Sequence, residues 1–243
     1  MEHRLAQLTR LEAGERASAG AVCLVPTGSL EQHGEHLPVF TDSLLAEHVC
    51  FEAARRARSD VLVTPPLWTG LSPHHMQFGS SVTLSAATFA ALVRETVASL
   101  RSWCDRVIVV NGHGGNRGPL VTLGVEDGVE AISYWELVRP ARLKALFPYD
   151  LGSVGHAGEF ETSEMLAAFP SLVGEPGFAF EPILEEGAAF LLPEMGESGV
   201  LGDPRAATAE GGRAILEDVV GALVALLDGA DDDSSDDGTE ELE

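Results

Sequence analysis

Three short runs rich in β-branched residues, 21–25, 61–65 and 107–110, are each bounded by Pro, Gly or Asp, the pattern of buried strands. A fourth run, 131–135, fits the same pattern. Between them, apolar positions recur at helical spacing. Asp42 and Ser43 open one such stretch as its cap, and it runs to about Arg58. Ser85 caps the next, 86–103, with Phe89, Leu92, Val93, Val97 and Leu100 on one face. A third, 116–130, is weakened by Gly124 and Gly128. A fourth runs from Glu159 to Phe169 and stops at Pro170. The last, 208–227, carries the stripe Ile215, Val219, Ala222, Leu223 and Leu226. Strands alternating with helices predict an α/β fold, a mostly parallel sheet covered on both faces. The expected organisation is one domain over 1–228 and a disordered acidic tail, 229–243.

At 243 residues and 45% hydrophobic content, the chain has ample core for such a fold. No apolar run approaches the ~20 residues needed to span a bilayer. The first residues are charged and Ala-rich, unlike a signal peptide, so the cytoplasm is the expected location. Cys23, Cys50 and Cys104 are scattered, with no CxxC spacing, and read as small buried apolar residues. The net charge is −23, and Lys144 is the sole lysine, which argues against nucleic acid as a partner. Nine of the carboxylates lie in 228–243, so the body alone is near −14. General acidity with arginine in place of lysine fits a high-salt cytoplasm; an ordinary acidic mesophilic enzyme is the alternative.

The chemistry concentrates at strand ends. Past the first strand, Glu31, His33, His36 and Asp42 fall within twelve residues. Glu31 and His33 alternate, so in an extended segment both face one site. The third strand runs into Asn111-Gly112-His113-Gly114-Gly115-Asn116, and a further cluster reads His156-Ala157-Gly158-Glu159-Phe160-Glu161. Mixed carboxylates and imidazoles suit zinc, manganese or iron at a hydrolytic site. His156, ahead of a helix start, is placed to orient substrate or protonate a leaving nitrogen. His74 and His75 read as rim or substrate contacts, His36 as a support behind the ligands, and Asp203 as a turn-former.

These blocks resemble the creatininase family. The resemblance rests on Pro26-Thr27-Gly28-Ser29-Leu30-Glu31-Gln32-His33-Gly34 with Thr41-Asp42, and on the 111–116 motif. His74 to Ser80, His156-Ala157-Gly158 with Glu161-Thr162-Ser163, and Gly199 to Pro204 extend it, in order, from about residue 20 to 225. It implies an α/β/α sandwich, a small-molecule substrate, a homo-oligomer (often a hexamer) and an amidohydrolase centre of two divalent ions (Zn, Mn or Fe) per subunit. By the resemblance, Glu31 and His113 bind one metal, His33 the other, and Asp42 bridges both. A bridging carboxylate holds cations ~3.5–4 Å apart, and a shared water between them becomes the attacking hydroxide. Creatininases carry a metal-binding glutamate two residues after this histidine, where this chain has Gly115. Glu161, with Glu159 behind it, is the candidate replacement.

The expected activity is hydrolysis of a non-peptide or small-peptide C–N bond, rather than an ordinary peptide bond, by attack on a polarised amide carbonyl. Members of the family open creatinine, deformylate a pyrimidine intermediate of flavin and deazaflavin synthesis, trim the mycofactocin precursor peptide, or hydrolyse sugar-derived rings. A deformylase acting on a nucleotide would need basic residues, for which Arg117 is the candidate. The mycofactocin-type peptidase fits the 156–163 and 199–204 blocks as well. Creatininases cover their substrate with tryptophans near the second histidine; 150–155 has none, and Trp135 is the nearest candidate. A non-catalytic metal-binding assembly protein is the rival of another class.

Overall fold

A computed structural model describes residues 1–150, 155–177 and 197–229. Four parallel strands form one sheet in the order β2–β1–β3–β4. They are β1 (Val22–Thr27), β2 (Val61–Val63), β3 (Arg106–Asn111) and β4 (Glu130–Ser133). Val22 pairs with Val61 on one side and with Arg106 on the other. The expected strands are present with shifted ends. β1 runs on through Pro26, which pairs with Val110 on the β3 side. β2 is already finished there, so the missing Pro26 N–H leaves no ladder bond broken on the β2 side, while the Pro26 carbonyl accepts from Leu67. β4 stops at Ser133, and Tyr134–Leu137 turn into a 3-10 helix instead of prolonging the strand.

Seven α-helices accompany the sheet among the described residues: α1 (Arg10–Ser18), α2 (Thr41–Arg56), α3 (Ala86–Arg101), α4 (Arg117–Asp127), α5 (Pro140–Leu146), α6 (Glu159–Ala168) and α7 (Ala209–Leu227). Alternation along the strands sorts the core into two layers. Val22, Leu24, Val61, Val63, Ile108 and Val110 pack under α2, α6 and α7. Cys23, Val25, Leu62, Val107 and Val109 pack under α3 and α4, with Ala17 of α1. Both faces are therefore covered, as a parallel sheet requires.

Ser85 caps α3 as its position suggests, accepting from Thr88 N–H, and Thr208, expected as the first helical residue, is the cap of α7 and accepts from Gly211 N–H. Gly124 is tolerated inside α4, and Gly128 closes that helix at φ +62. All three cysteines are buried and free. Asp228 belongs to the folded body: its carboxylate accepts from the backbone of Arg58 and Ser59. Of the expected tail, Gly229 is described, and 230–243 lie outside the described residues. No helix among the described residues is long and apolar enough to cross a membrane.

Candidate metal centre

β2 and β3 flank β1 on opposite sides, and the helices leading to them, α2 and α3, lie on opposite faces. A crevice at the carboxyl ends of β1 and β3 follows from that reversal. The segment after β1 brings Glu31 and His33 to it, and the turn after β3 brings His113. Asn111 and Asn116 hold that turn. Asn111 accepts from His113 N–H at 3.1 Å, and Asn116 donates to the Gly28 carbonyl at 3.0 Å. Gly112 lets α2 approach, since a Cβ there would stand 2.5 Å from the Asp42 carbonyl oxygen.

Asp42 and Ser43 are not caps. They lie inside the first turn of α2, behind Phe40, which has no capping side chain. Ser43 donates to the Ser29 carbonyl at 3.1 Å, and the Asp42 carboxylate turns inward. Its Oδ1 is 2.9 Å from His33 Nε2, and its Oδ2 is 3.0 Å from His113 Nδ1. Glu31 Oε1 completes one side, 3.2 Å from His113 Nδ1. Glu161, in the first turn of α6, completes the other, 3.8 Å from His33 Nε2. Of four groups of three ligand atoms within 4.8 Å of one another among the described residues, two share Asp42, Glu31–Asp42–His113 and His33–Asp42–Glu161; the others are Glu31–His33–His156 and Glu31–His74–His75.

Three features fit this donor set to divalent cations. First, His33 Nε2 and Asp42 Oδ2 are buried and make no hydrogen bond among the described residues, although each faces an oppositely charged neighbour at 2.9 and 3.0 Å. Second, the imidazoles are pre-oriented. His33 Nδ1 donates to the Glu31 carbonyl at 3.1 Å, and His113 Nε2 donates to the Leu71 carbonyl at 2.9 Å, so each turns its other nitrogen to the carboxylates. Third, three carboxylates meet where Glu31 is 1% and Asp42 2% exposed, and the Glu161 side chain 12%. Such a site is costly without positive charge.

The proton affinities report the same imbalance. Burial disfavours charge on His33, yet Asp42, Glu161 and Glu31 push its imidazole up to about 10. His113 is raised well above its ordinary value against burial, by Glu31 and Asp42. Burial, then Asp42 and Glu31, lifts the Glu161 carboxyl to about 7 despite His33. A proton and a metal ion compete for these same lone pairs.

The remaining candidates divide. His75 is fully buried in the wall rather than at a rim, 3.3 Å from Glu31 Oε1, and burial pushes it down to about 3. His156 lies against His33, the rings tilted by 44° with centroids 4.4 Å apart, and its Nδ1 is 3.7 Å from Glu31 Oε1. His36 stands behind the triads, bonded to Thr162 Oγ1 at 2.9 Å. Asp203 caps a short turn and pairs with Arg205. Glu159 is not in the cluster, because it accepts from Tyr149 N–H. Arg117 is not brought there either: it is exposed and paired with Glu136 at 2.5 Å. Trp135 packs edge-on against Tyr134 and the core. Residues 151–154, where covering tryptophans were sought, lie outside the described residues.

Sequence reasoning missed three supports. Ser72 donates to Glu31 Oε2. Asp150 accepts from Glu159 and Phe160 N–H at 2.7 Å each and so caps the helix that carries Glu161. Glu164, beneath Glu161, accepts from Tyr134 at 2.8 Å. Only Glu164 left a signal, a carboxylate one turn after the buried Phe160 on an apolar helix face.

Known proteins resemble this chain over most of its length. A family model described as creatininase, creatinine amidohydrolase, matches residues 6–227. The mycofactocin precursor peptide peptidase of Mycobacterium ulcerans is 32% identical, over 92% of this chain and 91% of its own. The creatinine amidohydrolase of Pseudomonas putida is 34% identical over 69% and 72%. Solved structures of a manganese creatininase and of a zinc–zinc creatininase variant superpose with TM-scores of 0.80 and 0.81. Their identities are 28% and 29%; each match covers 95% of this chain, and 99% and 98% of theirs.

Proposed function

This chain belongs to the creatininase family, and on that footing we propose that it is a divalent-metal-dependent hydrolase of an amide-type C–N bond. One observation carries the reading: a single buried carboxylate, Asp42, serves two triads of ligand atoms at once. Glu31, Asp42 and His113 would hold one ion, and His33, Asp42 and Glu161 the other. Bound there, divalent ions supply Lewis acidity to an amide carbonyl and bring the pKa of water down towards neutrality.

The chain's own groups do the rest. Ser72 donates to Glu31 Oε2 and steadies its plane, and His75 Nε2 lies 3.3 Å from Oε1. With three protein donors in each triad, a bound ion would keep positions for reactants, as in catalytic metal sites. Burial of Glu31, His33 and Asp42 keeps bulk water out and strengthens each charge interaction. His156 is held neutral, by burial first and then by His33 and His75. Its Nδ1 faces the cluster, where it can take a proton and return it to the leaving nitrogen.

Within this class, a short peptide is favoured over a phosphate-bearing nucleotide. Arg117, the cation a phosphate would need, is already neutralised by Glu136. Among the described residues, no lysine or arginine pairs with a member of the cluster. The likeness to a precursor peptide peptidase supports the same preference. A homo-oligomer, a hexamer by family resemblance, belongs to this proposal, and light scattering tests it. The activity is tested by offering the metal-loaded protein short peptides, a formylated pyrimidine nucleotide and creatinine. Release of an amine from a peptide, lost in Asp42→Asn, is expected. Metal binding with no hydrolysis across the panel would favour the non-catalytic rival.

A further inference from the structure

Gln32 stands between Glu31 and His33 and is itself buried. Its amide meets three segments of the chain. Oε1 accepts from Gly34 N–H at 2.9 Å. Nε2 lies 2.8 Å from the Gly199 carbonyl oxygen, 2.9 Å from His75 Nδ1 and 3.2 Å from His156 Nε2. An amide nitrogen has two hydrogens for these three neighbours. His156 decides how they are shared. Its Nε2 is also 2.9 Å from the backbone carbonyl oxygen of Gln32, which can only accept. That nitrogen therefore carries a hydrogen and cannot receive one from the amide. Both amide hydrogens go to Gly199 and to His75 Nδ1. An accepting Nδ1 leaves the His75 hydrogen on Nε2, the nitrogen 3.3 Å from Glu31 Oε1. Gly199 corroborates the seating of the amide. It has φ +69, and a Cβ there would overlap the Gln32 amide oxygen and stand 2.7 Å from its nitrogen.

From this count we propose that Gln32 is a positioning residue that sets the tautomers of both histidines. It turns the N–H of His75 towards Glu31, and with its own carbonyl it leaves His156 with a lone pair on Nδ1 facing the cluster. The division matters because the two rings touch, 4.3 Å between centroids, and flank the same carboxylate. With the His75 hydrogen on Nδ1, a second lone pair would confront Glu31 Oε1 and release that carboxylate from its fixed plane. With the His156 hydrogen on Nδ1, no wall imidazole could take a proton from the cluster. The tautomer assignment stands on hydrogen-bond geometry alone; its effect on turnover rests on the hydrolase reading.

Nitrogen-15 NMR of the imidazoles, in the full chain loaded with zinc, tests this in wild type, Gln32→Glu and Gln32→Met. The wild type is expected to carry the hydrogen on Nε2 in both rings. Gln32→Glu keeps an acceptor for Gly34 but presents a carboxylate to His75, so the His75 hydrogen moves to Nδ1. There kcat falls roughly 10- to 100-fold, the range for partners that orient metal ligands. KM and zinc content stay close to wild type. Gln32→Met, which offers neither donor nor acceptor, gives His75 a mixture of tautomers. A wild-type His75 with its hydrogen on Nδ1 overturns the proposal before any variant is made. An unchanged His75 in a folded Gln32→Glu also overturns it. If the wild type hydrolyses no amide, the hydrolase reading fails, and the NMR still decides the role of Gln32.

Discussion

The carbonyl oxygen of Leu71 fills the space that a side chain on Gly115 would need. A Cβ on Gly115 would overlap that oxygen and stand 2.5 Å from His113 Nε2. That nitrogen is the one donating to Leu71, on the far side of the ring from the carboxylates. In this chain, position 115 is part of the device that orients His113, and it is not a gap awaiting a ligand.

Gly115→Ala and Gly115→Glu should therefore both be harmful. Each displaces the Leu71 carbonyl and loosens His113, with an overpacking cost of about 1–3 kcal/mol. Activity should fall by roughly 10-fold or more in both, as when the partner of a metal-binding histidine is lost. Thermal melts and turnover of the two variants check this; a gain in metal affinity by Gly115→Glu would contradict it.

Glu161→Gln removes one charge and keeps the shape. It should weaken one of two metal equivalents at least ~10-fold and leave the other close to wild type, because the Glu31–Asp42–His113 triad is untouched. Competitive metal titration measures both steps. Equal weakening of both ions would mean that Glu161 acts on the cluster as a whole.

Much of this was legible in the sequence. Strand ends and glycine-flanked motifs marked Glu31, His33, Asp42, His113 and Glu161, and the fold gathers all five. The helix face Phe89, Val93, Val97, Leu100 was legible because burial follows the helical period. What failed was direction. Asp42 has the composition of a cap, but nothing local says that its side chain turns inward from the first helical turn. Arg117 follows the 111–116 motif in sequence, but its side chain runs to Glu136. Nor does spacing show that Gln32 reaches Gly199, or that Asp150 caps a helix nine residues later.

Asp150 is buried, and its carboxyl is lifted to about 8, by burial before its neighbouring carboxylates. Removing it in Asp150→Ala leaves two N–H groups at the start of α6 without their acceptor. The expected cost is about 1–2 kcal/mol, as for a lost cap, or a fall in Tm of roughly 2–8 °C. Asp150→Asn, which retains an acceptor, should lie between. Calorimetry of the three proteins decides it; an unchanged Tm in Asp150→Ala would remove the capping role.

Salt should stabilise the chain. A body near −14, with nine more carboxylates in 228–243, repels itself at low ionic strength. The Debye length shortens from ~10 Å at 0.1 M to ~3 Å at 1 M. The Tm should therefore rise between 0.1 M and molar KCl. Deleting residues 230–243 should leave most of that rise; a flat Tm in the full chain would contradict the charge argument.

The most direct test of the central claim is metal stoichiometry in the full chain, counted by elemental analysis after titration with manganese or zinc. Two ions per chain are expected in the wild type, and Asp42→Ala should lose at least one of them together with amide hydrolysis, because one carboxylate serves both triads. Two tightly held ions and undiminished turnover in a folded Asp42→Ala would contradict the account.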